Sequence, residues 1–305
     1  MPKPYKIRRL KAGDKIGVAA PSDPVRGSGQ FEELYKGSGL LREMGFDVEI
    51  GKFVSSSSPE KRAMDVNLFF SRPDVGAVIC ARGGDSAETV LPFLQWDTIA
   101  DNPKIFMGFS DATVLINAIY AKVGLVTFHG PDVCFTLGRY PFAYTREELA
   151  ARLCNGKTGK VRQLATNTIR GGNARGRLLG GNLRCLLKLA DTVYWPDFTG
   201  SILMLESFRL TEERCIAYLN ELKTMGVFDL ITGVIVGFVY SMQVEQPGGR
   251  QMEYLLSELT EDYGFPILKV ENFGHACPTT VLPIGCEVQL DADAATVDIT
   301  EEFLI

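Results

Sequence analysis

Short apolar segments alternate with stretches of helical periodicity through the first half of this 305-residue chain. Five of these segments are predicted strands, namely Lys15–Pro21, Phe46–Phe53, Val75–Cys80, Ile105–Met107 and Leu125–Phe128. Because helical segments separate them, right-handed crossovers are expected to join them into a largely parallel sheet. A sheet of this kind is covered on both faces, and its ligands bind beyond the carboxyl ends of its strands.

Two helices of this half are predicted from their sequence signals. Ser58 and Pro59 form a helix cap and a first-turn proline, and Met64 and Leu68 are expected on the buried face of the helix that follows. A further helix is predicted from Ser86 to Gln95. Such helices would cover the parallel sheet.

The composition changes between Lys157 and Asn173, where Gly, Thr, Arg and Asn replace apolar residues. We interpret this stretch as a linker or crossing strand and predict two domains, residues 1–160 and 161–305. The alternating apolar pattern at 288–299 predicts a closing antiparallel pair of strands. The expected fold is α/β, with a parallel-sheet amino-terminal domain and a smaller carboxyl-terminal α/β domain of mixed or antiparallel strands.

Polar residues follow several predicted strands at their carboxyl ends. Gly108-Phe-Ser-Asp111 turns the chain into a helix, which would expose the Ser110 hydroxyl beside unpaired N–H groups. Serine and aspartate are also favoured as ordinary helix N-caps, so a structural role for these residues stays open. Arg82-Gly-Gly84 and His129 follow two other strands. This coincidence predicts a site at one edge of the sheet.

The second half of the chain supplies an acid and another histidine. Glu206 ends the apolar segment Ile202–Leu205, where a poorly solvated carboxylate needs a partner. His275 lies on a loop beyond a strand, as His129 does, so the pattern leaves both histidines open as a general base. The order Ser, Glu, His occurs in hydrolase triads, but Ala112 interrupts the G-x-S-x-G turn, which disfavours a lipase-type hydrolase.

Composition excludes several classes of function. A net charge of −5 provides no basic surface for nucleic acid or an anionic membrane. No apolar run approaches the roughly 20 residues that cross a bilayer, and the first residues lack the apolar core of a signal peptide. Seven scattered cysteines without a C-x-x-C pair suit a reducing compartment, so we expect a cytoplasmic protein. Two histidines without a ligand cluster predict no metal, and the glycine turn matches no cofactor fingerprint.

With these residues in view, the chain resembles the LD-carboxypeptidase family. These serine peptidases include muramoyltetrapeptide carboxypeptidases and the microcin C self-immunity proteins. The resemblance covers nearly the whole chain, and its motifs occur in the family's order. They are Gly17-Val-Ala-Ala-Pro-Ser22, Arg82-Gly-Gly84, Asn102-Pro-Lys-Ile105, Gly108-Phe-Ser-Asp-Ala-Thr113, Thr127-Phe-His-Gly-Pro131, Gly180-Gly-Asn-Leu183, Ile202-Leu-Met-Leu-Glu206, Gly274-His275 and Leu282-Pro-Ile-Gly285.

The resemblance implies a catalytic triad, with Ser110 as nucleophile, His275 as base and Glu206 as the acid that orients it. It also implies a Rossmann-like amino-terminal domain joined to a carboxyl-terminal domain, with the triad at their interface. Relatives further suggest a homodimer, and no cofactor is implied.

The resemblance also assigns the oxyanion hole and the remaining histidine. The hole is implied to consist of the backbone N–H groups of Gly83, Gly84 and Asp111, and the side chain of Asp111 is given less weight than its N–H group. His129 becomes a structural residue at a strand end. The terminal carboxylate of the substrate is expected at the helix N-terminus of Asp85-Ser86 or at a nearby arginine.

The implied reaction is hydrolysis of an L-D amide bond, most simply the release of terminal D-Ala from a murein tetrapeptide in cell-wall recycling. The alternative is cleavage of the amide in a peptidyl- or aminoacyl-adenylate antibiotic such as processed microcin C. The segments Asp85–Ala87 and Gln95–Pro103 favour this immunity branch, whereas the segment between Ser110 and Glu206 leaves little room for the long loop that grips a nucleotide. A non-catalytic small-molecule-binding protein is the hypothesis from a different class.

The same resemblance carries one departure from the family pattern. Ser207 and Phe208 follow Glu206, where many relatives have a further acid. The local support of the acid is therefore expected to differ in this chain.

Overall fold

The computed structural model describes residues 7–305. The interpretation of the first residues as lacking a signal peptide falls in part on residues 1–6, outside the described residues. The strands are β1 Lys15–Ala19, β2 Asp47–Ile50, β3 Val75–Cys80, β4 Ile105–Gly108, β5 Thr127–His129, β6 Gly159–Lys160, β7 Thr166–Arg170, β8 Asn173–Asn182, β9 Ile202–Ser207, β10 Gly233–Val239, β11 Ile267–Gly274, β12 Leu282–Ile284, β13 Glu287–Asp291 and β14 Thr296–Ile299.

The α-helices lie between these strands. They are α1 Gly27–Glu43, α2 Pro59–Ser71, α3 Trp96–Asp101, α4 Thr113–Val123, α5 Ala143–Leu149, α6 Leu183–Leu187, α7 Glu212–Thr224, α8 Val227–Leu230 and α9 Met252–Leu259. No helix among residues 7–305 is long and apolar enough to cross a membrane.

The first sheet has the strand order β12-β5-β4-β3-β1-β2. Its strands pair in parallel except β12, which runs antiparallel to β5. The parallel strands are short and buried and are joined through helices, as the alternating sequence pattern predicts.

The second sheet has the order β6-β14-β13-β8-β9-β10-β11-β7. Strands β8 to β11 pair in parallel, whereas β7 and the β13–β14 pair are antiparallel to their neighbours. The mixed sheet and the predicted antiparallel pair at 288–299 are therefore confirmed, and so is the α/β fold class.

The division into domains 1–160 and 161–305 stays a prediction. The segment between 157 and 173 contains β6 and β7, both of which join the second sheet. Strand β12 comes from the second half of the chain and extends the first sheet.

Helix α4 connects the two sheets. Asn117 donates from Nδ2 to the Gly180 carbonyl at 2.8 Å and accepts from the Gly180 N–H at 3.1 Å. Thr113 Oγ1 accepts from the Asn182 N–H at 3.0 Å. The helix that begins beside Ser110 is thus fixed to strand β8, and these buried hydrogen bonds define how the two sheets meet.

Two predictions about the helices were wrong in detail. Met64 and Leu68 are 49% and 50% exposed, because α2 turns Ala63, Val66 and Phe70 toward the sheet instead. The predicted helix at 86–95 is a 3-10 helix at 87–93 that contains a proline, which cannot donate to a regular α-helical ladder.

Candidate active site

Ser110 lies at the sharp turn between β4 and the helical segment that leads into α4. Its φ is +59°, a left-handed conformation that a non-glycine residue adopts only when its surroundings enforce it. Such backbone strain costs of the order of 1–3 kcal/mol and is concentrated at functional sites. The helical segment begins at Ser110 and has Phe109 at its N-cap position, so Ser110 is not the N-cap of this segment.

The glycine turn after β3 packs directly against Ser110. A Cβ atom on Gly83 would lie 2.8 Å from both Cβ and Oγ of Ser110 and 3.4 Å from the Asp111 nitrogen. A Cβ on Gly84 would lie 2.3 Å from Cγ of Asp23. Both positions therefore need glycine, because a side chain would collide with its neighbours.

The Asp111 side chain has a role that the sequence interpretation undervalued. It is fully buried, and its Oδ2 accepts from the Ala87 N–H at 2.9 Å and from the Ser22 hydroxyl at 2.5 Å. Its Oδ1 pairs with Lys188 Nζ at 2.7 Å. Burial alone would lower the pKa of Lys188. The carboxylates around its ammonium group outweigh this effect and raise the pKa above its usual range. The carboxylate thus fixes the turn that orients Ser110.

Glu206 and His275 form a buried hydrogen-bonded pair. Glu206 Oε2 lies 2.8 Å from His275 Nδ1, and Glu206 Oε1 accepts from Asn182 Nδ2 at 2.9 Å. Burial opposes the charge of Glu206, but His275 and these hydrogen bonds outweigh it and hold the pKa of the carboxyl below its usual value. An ionised carboxylate can only accept, so Nδ1 of His275 carries the proton and donates it toward Glu206.

Three phenylalanines surround the His275 ring. Phe208 is stacked on it with centroids 4.6 Å apart, and Phe109 and Phe135 approach at 4.7 and 5.7 Å. Phe208, two residues after the acid Glu206, therefore packs its ring on the base. The aromatic cluster keeps the imidazole in one orientation and excludes water from its faces.

Ser110 and His275 line the same cleft, whose volume is about 530 Å³. Gly83, Asn182 and Phe208 line it as well. Gly84 lines the cleft too, so the cleft brings together the predicted nucleophile, the predicted base and both glycines of the turn. Glu206 lies behind His275, where it is fully buried.

Five arginines line the cleft, namely Arg82, Arg139, Arg184, Arg209 and Arg214. Arg139 is paired with Glu33 and Arg184 with Asp85. Arg209 and Arg214 are exposed, and neither lies within 4 Å of a carboxylate among residues 7–305. The cleft therefore offers positive charge to an anionic group.

One expectation about the substrate carboxylate is contradicted by the hydrogen bonds at Asp85-Ser86. The Asp85 N–H and the Ser86 hydroxyl both donate to Asp23 Oδ1, at 3.2 and 2.8 Å. A carboxylate within the protein already occupies this turn, and the helix that follows is only a short 3-10 segment. The nearby arginines therefore remain as the expected partners of the substrate carboxylate.

His129 is fully buried, and neither ring nitrogen has a hydrogen-bond partner within residues 7–305. Burial lowers its pKa to about 4. The ring packs edge-on against Phe109 and Phe273 and does not line the cleft. These contacts are those of a packing residue.

Asp132 is a buried carboxyl group that sequence reasoning missed. Its Oδ1 accepts from the Thr136 N–H at 2.7 Å, whereas its Oδ2 has no hydrogen-bond partner among the residues that the structure describes. Burial raises its pKa to about 6. Asp132 lines the cleft together with His275. Across residues 7–305, no group of three or more His, Cys, Asp or Glu side chains is arranged to hold a metal ion.

Comparison with known families gives two matches along the chain. Residues 16–130 match the LD-carboxypeptidase N-terminal domain, and residues 175–290 match the LD-carboxypeptidase C-terminal domain. Together the two matches cover more than half of the sequence and contain Ser110, Glu206 and His275.

Individual relatives are similar over nearly their whole length. The microcin C7 self-immunity protein MccF of Escherichia coli is 29% identical, over 97% of this chain and 95% of the relative. The solved structure of MccF in complex with aspartyl sulfamoyl adenosine has a TM-score of 0.91 at 27% identity and covers 99% of this chain and 100% of its own. Muramoyltetrapeptide carboxypeptidase from Oxalobacter formigenes has a TM-score of 0.80 at 25% identity, over 93% and 97% of the two chains.

Proposed function

Because the chain belongs to the LD-carboxypeptidase family, we propose that it is a serine carboxypeptidase that hydrolyses an L-D amide bond and releases terminal D-Ala from a murein tetrapeptide. One observation carries this proposal. The buried Glu206–His275 pair opens onto the cleft where Ser110 is held in a left-handed turn. A protein that only binds a small molecule would not need a buried acid–base pair, a cleft and a strained serine in combination.

In the first step, His275 accepts the proton of the Ser110 hydroxyl at Nε2 while Oγ attacks the amide carbonyl carbon. Nε2 is free to accept because Nδ1 is committed to Glu206. The imidazolium that forms is stabilised by the ionised carboxylate of Glu206. His275 then gives the proton to the leaving amine, and water hydrolyses the acyl-enzyme by the reverse sequence.

Backbone N–H groups at the glycine turn and after Ser110 are proposed to bind the developing oxyanion. Gly83 lies against both Ser110 and the Asp111 nitrogen, which supports a hole built from the N–H groups of Gly83, Gly84 and Asp111. By analogy with other acyl-transfer enzymes, each donor is worth about 2.7–4 kcal/mol. The Asp111 carboxylate holds this arrangement in place through its bonds to Ser22, Ala87 and Lys188.

Arg209 and Arg214 are proposed to bind the terminal carboxylate of the substrate. Both are exposed in the cleft without a carboxylate partner, and guanidinium groups match carboxylates with two parallel hydrogen bonds. A free carboxylate at the cleaved end is what distinguishes a carboxypeptidase substrate from an internal amide.

The second candidate function is cleavage of the amide in an acyl-adenylate antibiotic. The high structural similarity to MccF in complex with aspartyl sulfamoyl adenosine favours it. The short segment between Ser110 and Glu206, with little room for a nucleotide-gripping loop, favours a peptide instead.

We further propose a cytoplasmic location and a homodimer for this protein. All seven cysteines are free thiols, which suits a reducing compartment. Size-exclusion chromatography with light scattering tests the dimer, and fractionation of cells tests the location.

The substrate is tested by incubating the protein with a tetrapeptide that ends in D-Ala and, separately, with an aminoacyl sulfamoyl adenosine. Release of D-Ala supports the carboxypeptidase, and release of the free amino acid from the nucleotide analogue supports the alternative. Ser110→Ala should abolish turnover of the true substrate while its circular dichroism and melting temperature stay those of the wild type. Turnover retained by Ser110→Ala would exclude Ser110 as the nucleophile.

A further inference from the structure

A second pocket of about 340 Å³ lies beside the cleft and shares Asp23 and Arg82 with it. Its walls carry two further arginines, Arg26 and Arg62, which do not line the cleft. Three hydroxyl residues complete its polar lining, namely Ser57, Ser86 and Thr89. None of the proposed catalytic residues belongs to this pocket.

Arg62 is the unusual member of this set, because it is a buried charge without a counter-ion. It is only 2% exposed, and no carboxylate among residues 7–305 lies within 4 Å of its guanidinium. Its Nη1 donates to the carbonyls of Ser56 and Ser57, and its Nη2 donates to the hydroxyls of Ser86 and Thr89, all of them neutral oxygens. Its Nε–H has no acceptor among the described residues. Burial lowers the pKa of Arg62, and the more distant carboxylates of Asp23 and Asp111 offset this effect only in part.

The neighbouring arginines also have no ion-pair partner in the part of the chain that the structure describes. Arg26 is exposed and donates to the Ser57 hydroxyl at 3.0 Å, and Arg82 donates to the Pro24 carbonyl and to Gln30. The one acid that lines the pocket, Asp23, accepts from the Ser86 hydroxyl and the Asp85 N–H. Three guanidinium groups therefore face one carboxylate, and the pocket carries a net positive charge.

We propose that this second pocket binds a phosphate-type oxyanion, either free or carried by the substrate. A buried cation is costly unless an anion compensates it, and converging guanidinium and hydroxyl donors match a tetrahedral oxyanion. The ligand would receive hydrogen bonds from Arg26 and Arg82 and would offset the charge of Arg62. This proposal does not depend on the reaction proposed for Ser110.

The experiment is calorimetric titration of the wild-type protein with inorganic phosphate at constant ionic strength. We expect one saturable site, and Arg26→Gln should weaken it by at least about tenfold, because a hydrogen bond from a charged donor is lost. Arg62→Met would remove the buried guanidinium directly, but this variant could fail to fold. Arg26 is exposed, so Arg26→Gln should fold in either case. Arg146→Gln, which removes an exposed arginine on α5, should bind phosphate as the wild type does. Arg214→Gln removes an arginine that is proposed to bind the substrate, so it reports whether phosphate binds in the cleft instead.

Absence of saturable binding in the wild type would overturn the proposal, as would weakening by Arg214→Gln but not by Arg26→Gln. Steady-state kinetics of amide hydrolysis in the presence of phosphate distinguish the two sources of the anion, the free ion and a group of the substrate. If phosphate raises the KM for amide hydrolysis without changing kcat, the pocket takes an anionic group of the substrate. If phosphate binds through Arg26 and leaves hydrolysis unchanged, the pocket takes the free ion. A protein without hydrolytic activity still gives the binding result, so the two proposals fail separately.

Discussion

The ring of Phe208 is stacked on the imidazole of His275, with centroids 4.6 Å apart and ring planes 13° apart. Phe208 is half-buried and lines the cleft, so one face of the ring pair borders the space for substrate. The stack holds the imidazole in the plane that brings Nδ1 to Glu206. The segment after Glu206, where this chain departs from the family pattern, therefore supplies an aromatic ring that packs on the base.

Phe208→Leu should lower kcat for amide hydrolysis roughly tenfold, because a loosely held imidazole spends less time aligned for proton transfer. KM should change little, since the arginines of the cleft remain. Steady-state kinetics with the tetrapeptide measure both constants. The matched control is Phe93→Leu, at an exposed ring outside the cleft, which should leave both unchanged. An unaltered kcat in Phe208→Leu would show that the stack does not position the base.

Gly83→Ala should remove nearly all hydrolytic activity, because the new methyl group would lie 2.8 Å from Ser110 Oγ. The matched control is Gly39→Ala in α1, where a Cβ would meet no atom within 4 Å. Alanine there should leave activity unchanged and stabilise the protein by about 0.5–1 kcal/mol, as expected for a helix interior. Hydrolysis assays and urea unfolding measure the two effects. Full activity in Gly83→Ala would place the oxyanion elsewhere.

The parallel sheet could be predicted from the sequence because its strands are short, apolar and separated by helical periodicity. The same alternation placed Ser110, the glycine turn and His129 at strand ends, which is where they lie. Met64 and Leu68 show the limit of this reasoning. Apolar residues also lie on exposed helix faces, and the pattern alone does not show which face the larger phenylalanines bury.

The partners of the site residues could not be predicted in the same way. Asp111 meets Lys188, and Glu206 meets His275, only after distant segments fold together. Family resemblance singled out His275, since both histidines occupy loops or strand ends. The burial of Arg62 could not be predicted from the sequence, because arginines on helices are ordinarily solvated.

His129→Ala should retain most hydrolytic activity, whereas His275→Ala should lose at least about a thousandfold in kcat, the scale of removing a triad member. His129 has no polar partner and lies outside the cleft, although its removal leaves a cavity and should lower the melting temperature. Assays well below the melting temperature of the variant separate the two effects. Comparable loss of kcat in both variants would mean that His129 takes part in the reaction.

Asp132→Asn should change how stability depends on pH. The folded protein holds the Asp132 proton up to about pH 6, whereas the unfolded chain releases it near the ordinary pKa of an aspartate, 3.8. The stabilising effect of the raised pKa is therefore full below about pH 4 and is lost as pH rises to 6. The neutral amide avoids the buried charge, so the variant should gain about 1–3 kcal/mol over the wild type above pH 6 and little at pH 4.

Urea unfolding of both proteins at pH 4.5, 6 and 7.5 measures this difference in the free energy of unfolding. His129 titrates in both proteins, so its contribution cancels in the comparison. Asp101→Asn, at an exposed carboxylate on α3, is the control and should show no pH-dependent gain. A constant difference between Asp132→Asn and wild type across this range would mean that Asp132 is ionised in the folded protein throughout.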